Sequence, residues 1–258
     1  MASLAIFDFD RTIVNEDSDA TIINRLREKQ PPPEWEASNH DWTPYMSDVF
    51  EHAFAAGLNQ DDILGAIGSM RPTPGMQELI TTLAEGGWDV LVLTDANIYE
   101  SLRPFLDEEK CRQCVPTPSS SGICSEIVRF SFQEHITAVI TNCAFWKNGR
   151  LFIEPCMQQA ACARCPSNLC KSLALAQWCA GRPPYQRVVY AGDGRNDFCP
   201  ATNMPAHATV FPRKGYPMED LIKKTLASPS PQVSAQVVPW ENAYTILEEL
   251  FPGRLIPM

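Results

Sequence analysis

The chain has 258 residues, enough for one full-sized domain or one domain with a smaller insert. Its 21 basic and 31 acidic side chains leave a net charge of −10, a field that argues against gripping nucleic acid or an anionic membrane surface. A 45% hydrophobic and 20% charged composition excludes general disorder, and no apolar run approaches the ~18–20 residues of a membrane helix.

Leu4-Ala-Ile-Phe-Asp8-Phe is a short apolar run that meets a carboxylate, the pattern of a buried parallel strand delivering acids to its C-terminal end. It is also too short for a signal-peptide core. Asp17 or Ser18 can cap a helix carrying Ile22, Ile23 and Leu26. Residues 29–44 are polar, proline-rich and read as loop. Met46, Val49, Phe50, Ala53 and Phe54 follow helical spacing up to Gly57, and Asp61 and Asp62 open a further short helix. Met76, Leu79, Ile80 and Leu83 predict another, ended by Gly86-Gly87. Residues 89–95 form a second buried strand ending in Thr94-Asp95, and residues 136–141 a third. Residues 143–154 read as a hairpin around Asn148-Gly149, with Phe152 and Ile153 in the return strand. Ser167 or Asn168 precedes a helix over about 169–180. Residues 187–193 give a fourth strand into a Gly192-Asp193-Gly turn, 207–211 a fifth, and 240–250 a last helix. The 22 prolines fall between these segments as punctuation.

Strands alternating with helices predict an α/β fold, a doubly wound parallel sheet with helices on both faces. Ligands bind such sheets at the C-terminal strand ends, where Asp8, Asp95 and Asp193 all fall. The stretch 15–75 is too long for a plain crossover and reads as a small helical cap inserted after the first strand. Residues 1–14 and 76–258 then form the catalytic core.

Asp8 and Asp10 stand two residues apart at a strand end, and Asp193 and Asp197 follow another. Alone, the first pair serves equally well as a turn or helix cap, and the second reads first as a common turn composition. Together they favour a site for a hard cation such as Mg²⁺, because clustered acids repel one another unless a cation or shared proton compensates. Alone, too, Thr94 is a locally bonded strand-end hydroxyl and Lys171 a solvated surface lysine.

Asp8-Phe-Asp10-x-Thr12, Thr94, Lys171 and Gly192-Asp193-x-x-x-Asp197 resemble, in order, the four motifs of haloacid-dehalogenase-type phosphatases. Asn15-Glu-Asp-Ser-Asp19, Thr94-Asp95-Ala-Asn97, Cys162-Ala-Arg-Cys165-Pro-Ser-Asn-Leu-Cys170-Lys171, Gly192-Asp193-Gly-Arg-Asn-Asp197-Phe-Cys-Pro200 and Pro212-Arg-Lys-Gly-Tyr-Pro217 narrow the resemblance to the phosphoethanolamine/phosphocholine phosphatase family. It implies a haloacid-dehalogenase-like Rossmannoid core and a Mg²⁺-dependent phosphomonoesterase. Asp8 would be the nucleophile, and Asp10 the group that protonates the departing alcohol and then activates water. Asp8, the Asp10 carbonyl and Asp193 would hold Mg²⁺, with Asp197 supporting the metal's waters. Thr94 and Lys171 would bind the phosphoryl group, and Asp19 and Asp95 would face an amine head group. Trp35, Trp42, Tyr45 or Phe50 can offer such a cation an aromatic face. A pyridoxal-phosphate phosphatase is the neighbouring alternative.

The ten cysteines are expected to be reduced thiols in a cytoplasmic chain whose partners are small phosphomonoesters. The rival reading joins Cys111, Cys114, Cys162 and Cys165 in a four-thiolate zinc knuckle, compatible with a catalytically silent interaction protein. The presence of both Asp8 and Asp10 argues against silence. Residues 107–129, which carry the first cysteine pair, look like an insert.

Overall fold

A computed structural model describes residues 2–35, 42–97, 133–229 and 232–253. Six parallel strands form the main sheet in the order β3-β2-β1-β6-β7-β8. They are β1 (Ser3–Phe7), β2 (Trp88–Leu93), β3 (Ala138–Ile140), β6 (Arg187–Gly192), β7 (Thr209–Pro212) and β8 (Gln236–Val237). From central β1 the chain builds outward on one side to β3, then returns to the other side at β6. The switch between β1 and β6 is where such sheets open a crevice for ligand.

Both faces of the sheet are covered, which is why its strands read as continuous apolar runs. Ala5, Phe7, Val90, Val92, Val189 and Ala191 face one core, built with α4 (Met76–Glu85), α8 (Ala243–Leu250) and the insert helices. Leu4, Ile6, Leu91, Leu93, Tyr190 and Val210 face the other, built with α5 (Lys171–Cys179), α6 (Phe198–Asn203) and α7 (Pro217–Leu226). The period of two along each strand sorts these side chains.

The stretch after β1 is helical, as expected. A single π-turn (Phe9–Ile13) leads through an extended segment to α1 (Ser18–Arg27), which Asp17 caps by accepting the Ala20 N–H. Then come α2 (Trp42–Ala55) and α3 (Gln60–Gly68), the last opened by a reciprocal Asn59–Asp62 capping box. Val14 and Pro72 pair as an antiparallel bridge, and the Asn15 N–H donates to the Arg71 carbonyl, so both ends of the insert leave the core side by side. The hairpin, β4 (Cys143–Lys147) and β5 (Arg150–Glu154), stands apart from the main sheet and packs along α2, where Arg150 pairs with Glu51 at 3.0 Å.

The third and fifth strands are shorter than the expected 136–141 and 207–211 windows, β7 running on to Pro212. The last helix starts at Ala243, after Asn242 caps it, rather than at residue 240. Trp42, placed in a loop by its polar neighbourhood, begins α2. Helices α6 and α7, strand β8 and the π-turn have no counterpart in the sequence reading. The expected insert at 107–129, with Cys111 and Cys114, lies outside the described residues.

Candidate active site

The polar chain ends of β1, β2 and β6 converge on one cavity. It is lined by Asp8, Asp10, Asp17, Asp19, Asp95 and Asp193, with Arg11, Trp42 and Asn196, and encloses about 200 Å³. The Asp8 N–H still pairs with the Ala191 carbonyl at 3.0 Å, carrying the sheet's register into the site.

Lys171 and Asp197 organise the floor. Lys171 is the first residue of α5, only 1% exposed, and its Nζ lies 2.9 Å from Asp8 Oδ2 and 2.7 Å from Asp197 Oδ1. Burial pulls the ammonium's pKa down, but the Asp197 and Asp8 carboxylates reverse this and leave it raised, so it stays charged. Asp197 also accepts the Tyr190 hydroxyl (2.5 Å) and the N–H groups of Asp193 (3.1 Å) and Gly194 (2.9 Å). With its oxygens filled, Asp197 is a brace for the turn. The fit needs glycine at 192, where an added Cβ would sit 2.4 Å from Asp197 Cγ.

One carboxylate oxygen from each of Asp8, Asp193 and Asp197 lies within 4.8 Å of the other two. Burial, then the charge of Asp197, raises Asp8 well above the usual carboxylate range and pushes Asp193 up to about 7. Three buried acids facing one ammonium leave negative charge uncompensated. The donor set is all oxygen, which suits Mg²⁺.

Asp10 turns the other way, to the N-terminus of α1. Its carboxylate accepts the Ser18 N–H (2.9 Å) and hydroxyl (2.8 Å). Burial, then repulsion by Asp19, raises its pKa well above normal despite these bonds, so it is disposed to carry a proton. Thr94 is buried at the end of β2, and its Oγ1 accepts the Ala96 N–H at 3.2 Å, leaving its own proton to donate.

Asp19 and Asp95 form an acidic wall of the same cavity. Asp19 accepts the Trp42 indole N–H at 2.6 Å and the Asn97 amide at 3.2 Å, and burial pushes it up to about 7. Asn97 is held in turn by Asn142, whose amide also bonds the Asp95 carbonyl. The Asp95 carboxylate accepts the Asn196 amide at 2.9 Å, tying the end of β2 to the turn after β6. Trp42 packs against Trp35 and Tyr45 with ring centroids 5.1 and 5.0 Å away. Phe50, the fourth candidate for an aromatic face, is in the core.

Of the sequence-selected polar residues, all but Thr94 and Lys171 line the cavity or, like Asp197, brace it, and of the four aromatic candidates Trp42 alone lines it among the described residues. Thr94 flanks Asp95, and Lys171 lies beneath, paired to Asp8. Missed from sequence were Ser18, Asn142, Tyr190, Asn196 and Arg213. Tyr190 carried a signal, since a tyrosine in a wholly buried strand needs a partner for its hydroxyl. Arg213 donates to the Arg11 carbonyl and to Asn15 Oδ1 while packed against Tyr216 and Trp240, fixing the loop between β1 and α1.

Residues 3–253 match the family described as "Putative Phosphatase". The chain is 31% identical to Pyridoxal phosphate phosphatase PHOSPHO2 of Bos taurus, spanning 97% of this chain and 98% of that protein. It is 30% identical to the Phosphoethanolamine/phosphocholine phosphatase of Homo sapiens, spanning 93% and 85%. A solved phospho-aspartyl intermediate analogue of phosphoserine phosphatase superposes with TM-score 0.57 at 15% identity, covering 96% of this chain and 98% of that one, and so shares the fold. The chain therefore belongs to the "Putative Phosphatase" family and is a phosphatase of the haloacid-dehalogenase type.

Proposed function

We propose that the chain hydrolyses a small phosphomonoester bearing a positively charged head group, with phosphoethanolamine and phosphocholine as the leading substrates. The carrying observation is that one cavity is lined by Asp8, which Lys171 pairs from beneath, and by an acidic wall of Asp19 and Asp95 with the Trp42 indole bonded to Asp19. A phosphate dianion beside the Lys171–Asp8 pair and an ammonium beside Asp19 and Asp95 would match these charges.

In this reading the Asp8 carboxylate attacks phosphorus and forms an aspartyl-phosphate. Asp10, held by Ser18, gives its proton to the leaving alcohol and then takes one from the incoming water. Lys171 balances charge on the nucleophile and the phosphoryl group, and the Thr94 hydroxyl donates to a phosphoryl oxygen. Asp8, Asp193 and the Asp10 carbonyl would hold Mg²⁺, which supplies positive charge between the two repelling anions. Asp197 keeps Lys171 and the Asp193 turn in place.

A second reading, pyridoxal phosphate as substrate, is favoured by the near-equal identity to the bovine relative of that name. A phosphate-release panel decides between them. Phosphocholine, phosphoethanolamine, pyridoxal phosphate and p-nitrophenyl phosphate are compared with and without Mg²⁺. The proposal expects the two amine esters to give the highest kcat/KM, only with Mg²⁺. Pyridoxal phosphate ahead of both would transfer the assignment, and undiminished Mg²⁺-free turnover would remove the metal.

A further inference from the structure

Four cysteines outside the catalytic cavity converge on one point. Cys162 and Cys165 lie in the segment 155–170, Cys170 is the residue before α5, and Cys199 is the second residue of α6. Their four Sγ atoms all lie within 4.8 Å of one another. Cys162 to Cys199 is 3.6 Å and Cys170 to Cys199 is 3.9 Å. We propose that Cys162, Cys165, Cys170 and Cys199 bind one structural Zn²⁺ ion.

The spacing favours a metal over a disulfide or casual packing. Tetrahedral zinc with Zn–S bonds of about 2.3 Å sets its sulfurs about 3.8 Å apart, and the separations of 3.6 and 3.9 Å to Cys199 bracket that value. A disulfide brings one pair to about 2 Å and leaves the other two thiols without a role. Four sulfurs and no oxygen or imidazole select a thiophilic ion, and the closeness of all four fits a single ion. Binding forms four Zn–S bonds and releases the thiol protons to solvent, with no oxidation or reduction.

The surroundings are built to present sulfur. Residues 155–170 contain no helix or strand, and the Gln159 side chain gathers them, accepting the Cys162 N–H and donating to the carbonyls of Cys165 and Pro166. The Ser172 hydroxyl lies 3.2 Å from Cys199 Sγ, placed to donate to a thiolate. A long irregular segment inside a compact fold calls for a cross-link, and this cluster supplies one. In this proposal the partners of Cys162 and Cys165 are Cys170 and Cys199, while Cys111 and Cys114, considered from sequence, lie outside the described residues.

The ion would join the two segments that carry the floor of the catalytic cavity. Cys170 immediately precedes Lys171, and Cys199 stands two residues after Asp197, whose carboxylate Lys171 grips at 2.7 Å. Zinc would fix the backbone on both sides of that pair while remaining outside the reaction. The metal site does not depend on the proposed substrate.

The test is elemental analysis of the tag-free full chain after dialysis into metal-free buffer, with cobalt substitution as a second measurement. About one zinc per chain is expected, unchanged in Asp8→Asn and Cys179→Ser and lost in Cys165→Ser and Cys199→Ser. Because these last variants can fail by misfolding, Co²⁺ is also added to wild type. Intense visible absorption from a tetrahedral thiolate complex, displaced by Zn²⁺, supports the site. Zinc that disappears in Asp8→Asn would place the ion among the carboxylates and overturn the proposal. So would a metal-free wild type whose four thiols all react with a thiol reagent in the folded state, a mapped disulfide among the four, or iron in place of zinc.

Discussion

On the floor of the cavity, Asp8 and Asp197 share a buried ammonium, and Asp197 adds a phenol and two backbone N–H groups. On the acidic wall, Asp19 has only neutral donors, an indole and an amide, and no cation of the chain bonds it among the described residues. The floor carries much of its own charge compensation, while the wall leaves that work to whatever enters. The two regions therefore respond differently to mutation, pH and substrate charge, and each response can be measured.

Asp8→Asn has the largest expected effect. It keeps size but removes the attacking charge and one charge from the metal site, so kcat should fall by at least ~10³ for every substrate. Retention of more than a tenth of wild-type turnover would remove Asp8 from its role. Next come Asp19→Asn and Asp95→Asn. A fixed head-group charge does not change during phosphoryl transfer, so its contacts act as uniform binding. Loss of one charged contact worth ~1–3 kcal/mol lowers kcat/KM for phosphocholine roughly 5- to 150-fold, mostly through KM. p-Nitrophenyl phosphate should lose far less. Equal losses for both substrates would erase the distinction between floor and wall.

The pH dependence sharpens the comparison. Asp19 sits up at about 7 in the free protein because it is buried, so it gains charge as pH rises through that value. The ratio of kcat/KM for phosphocholine to that for p-nitrophenyl phosphate should rise about 5- to 10-fold from pH 6 to 8, and the rise should vanish in Asp19→Asn. Effects shared by both substrates cancel in the ratio. Linkage gives the matching stability trend. Asp8, Asp10, Asp19 and Asp193 hold protons in the folded chain above the ~3.9 at which an unfolded Asp ionises, so their contribution is lost as pH rises through the folded values. In Mg²⁺-free buffer Tm should fall from pH 5 to 8, and added Mg²⁺ should raise it more at pH 8. A Tm that climbs across that window would contradict the sign.

The smallest effect is expected from Tyr190→Phe. It removes one of four bonds to Asp197 and should cost about 1–2 kcal/mol of stability, with kcat lowered only a few-fold. A thousandfold loss would mean that the phenol takes part in the chemistry.

The strand ends were legible because a parallel sheet covered on both faces writes its strands as apolar runs, and three of those runs met Asp8, Thr94-Asp95 and Asp193 at their ends. Asp8, Thr94 and Asp193 could be placed from that pattern alone. What Lys171 touches could not be read, since it pairs with a residue 26 positions away. The Asn196 bond to Asp95 was hidden for the same reason, since it joins strand ends that only the strand order brings together, whereas the Ser18 cradle of Asp10 depends on the local path of the loop between β1 and α1. Helix α7 was readable in principle, with Pro217 in its first turn followed by Glu219 and Asp220, but its many charges concealed the apolar stripe. The cysteine cluster needed α5 and α6 to be packed before Cys199 could meet the other three.

The hairpin lying along α2 has a consequence for how substrate is received. The insert is pinned to the core at Val14–Pro72 and again through β5, where Arg150 meets Glu51. To swing away it would have to peel apolar surface from the hairpin as well as bend its two connecting strands. Much of the cost of ordering the insert against the hairpin has thus been met during folding, and binding energy need not be diverted to holding it there. A site ordered in advance in this way selects by what fits and by the charge that it carries.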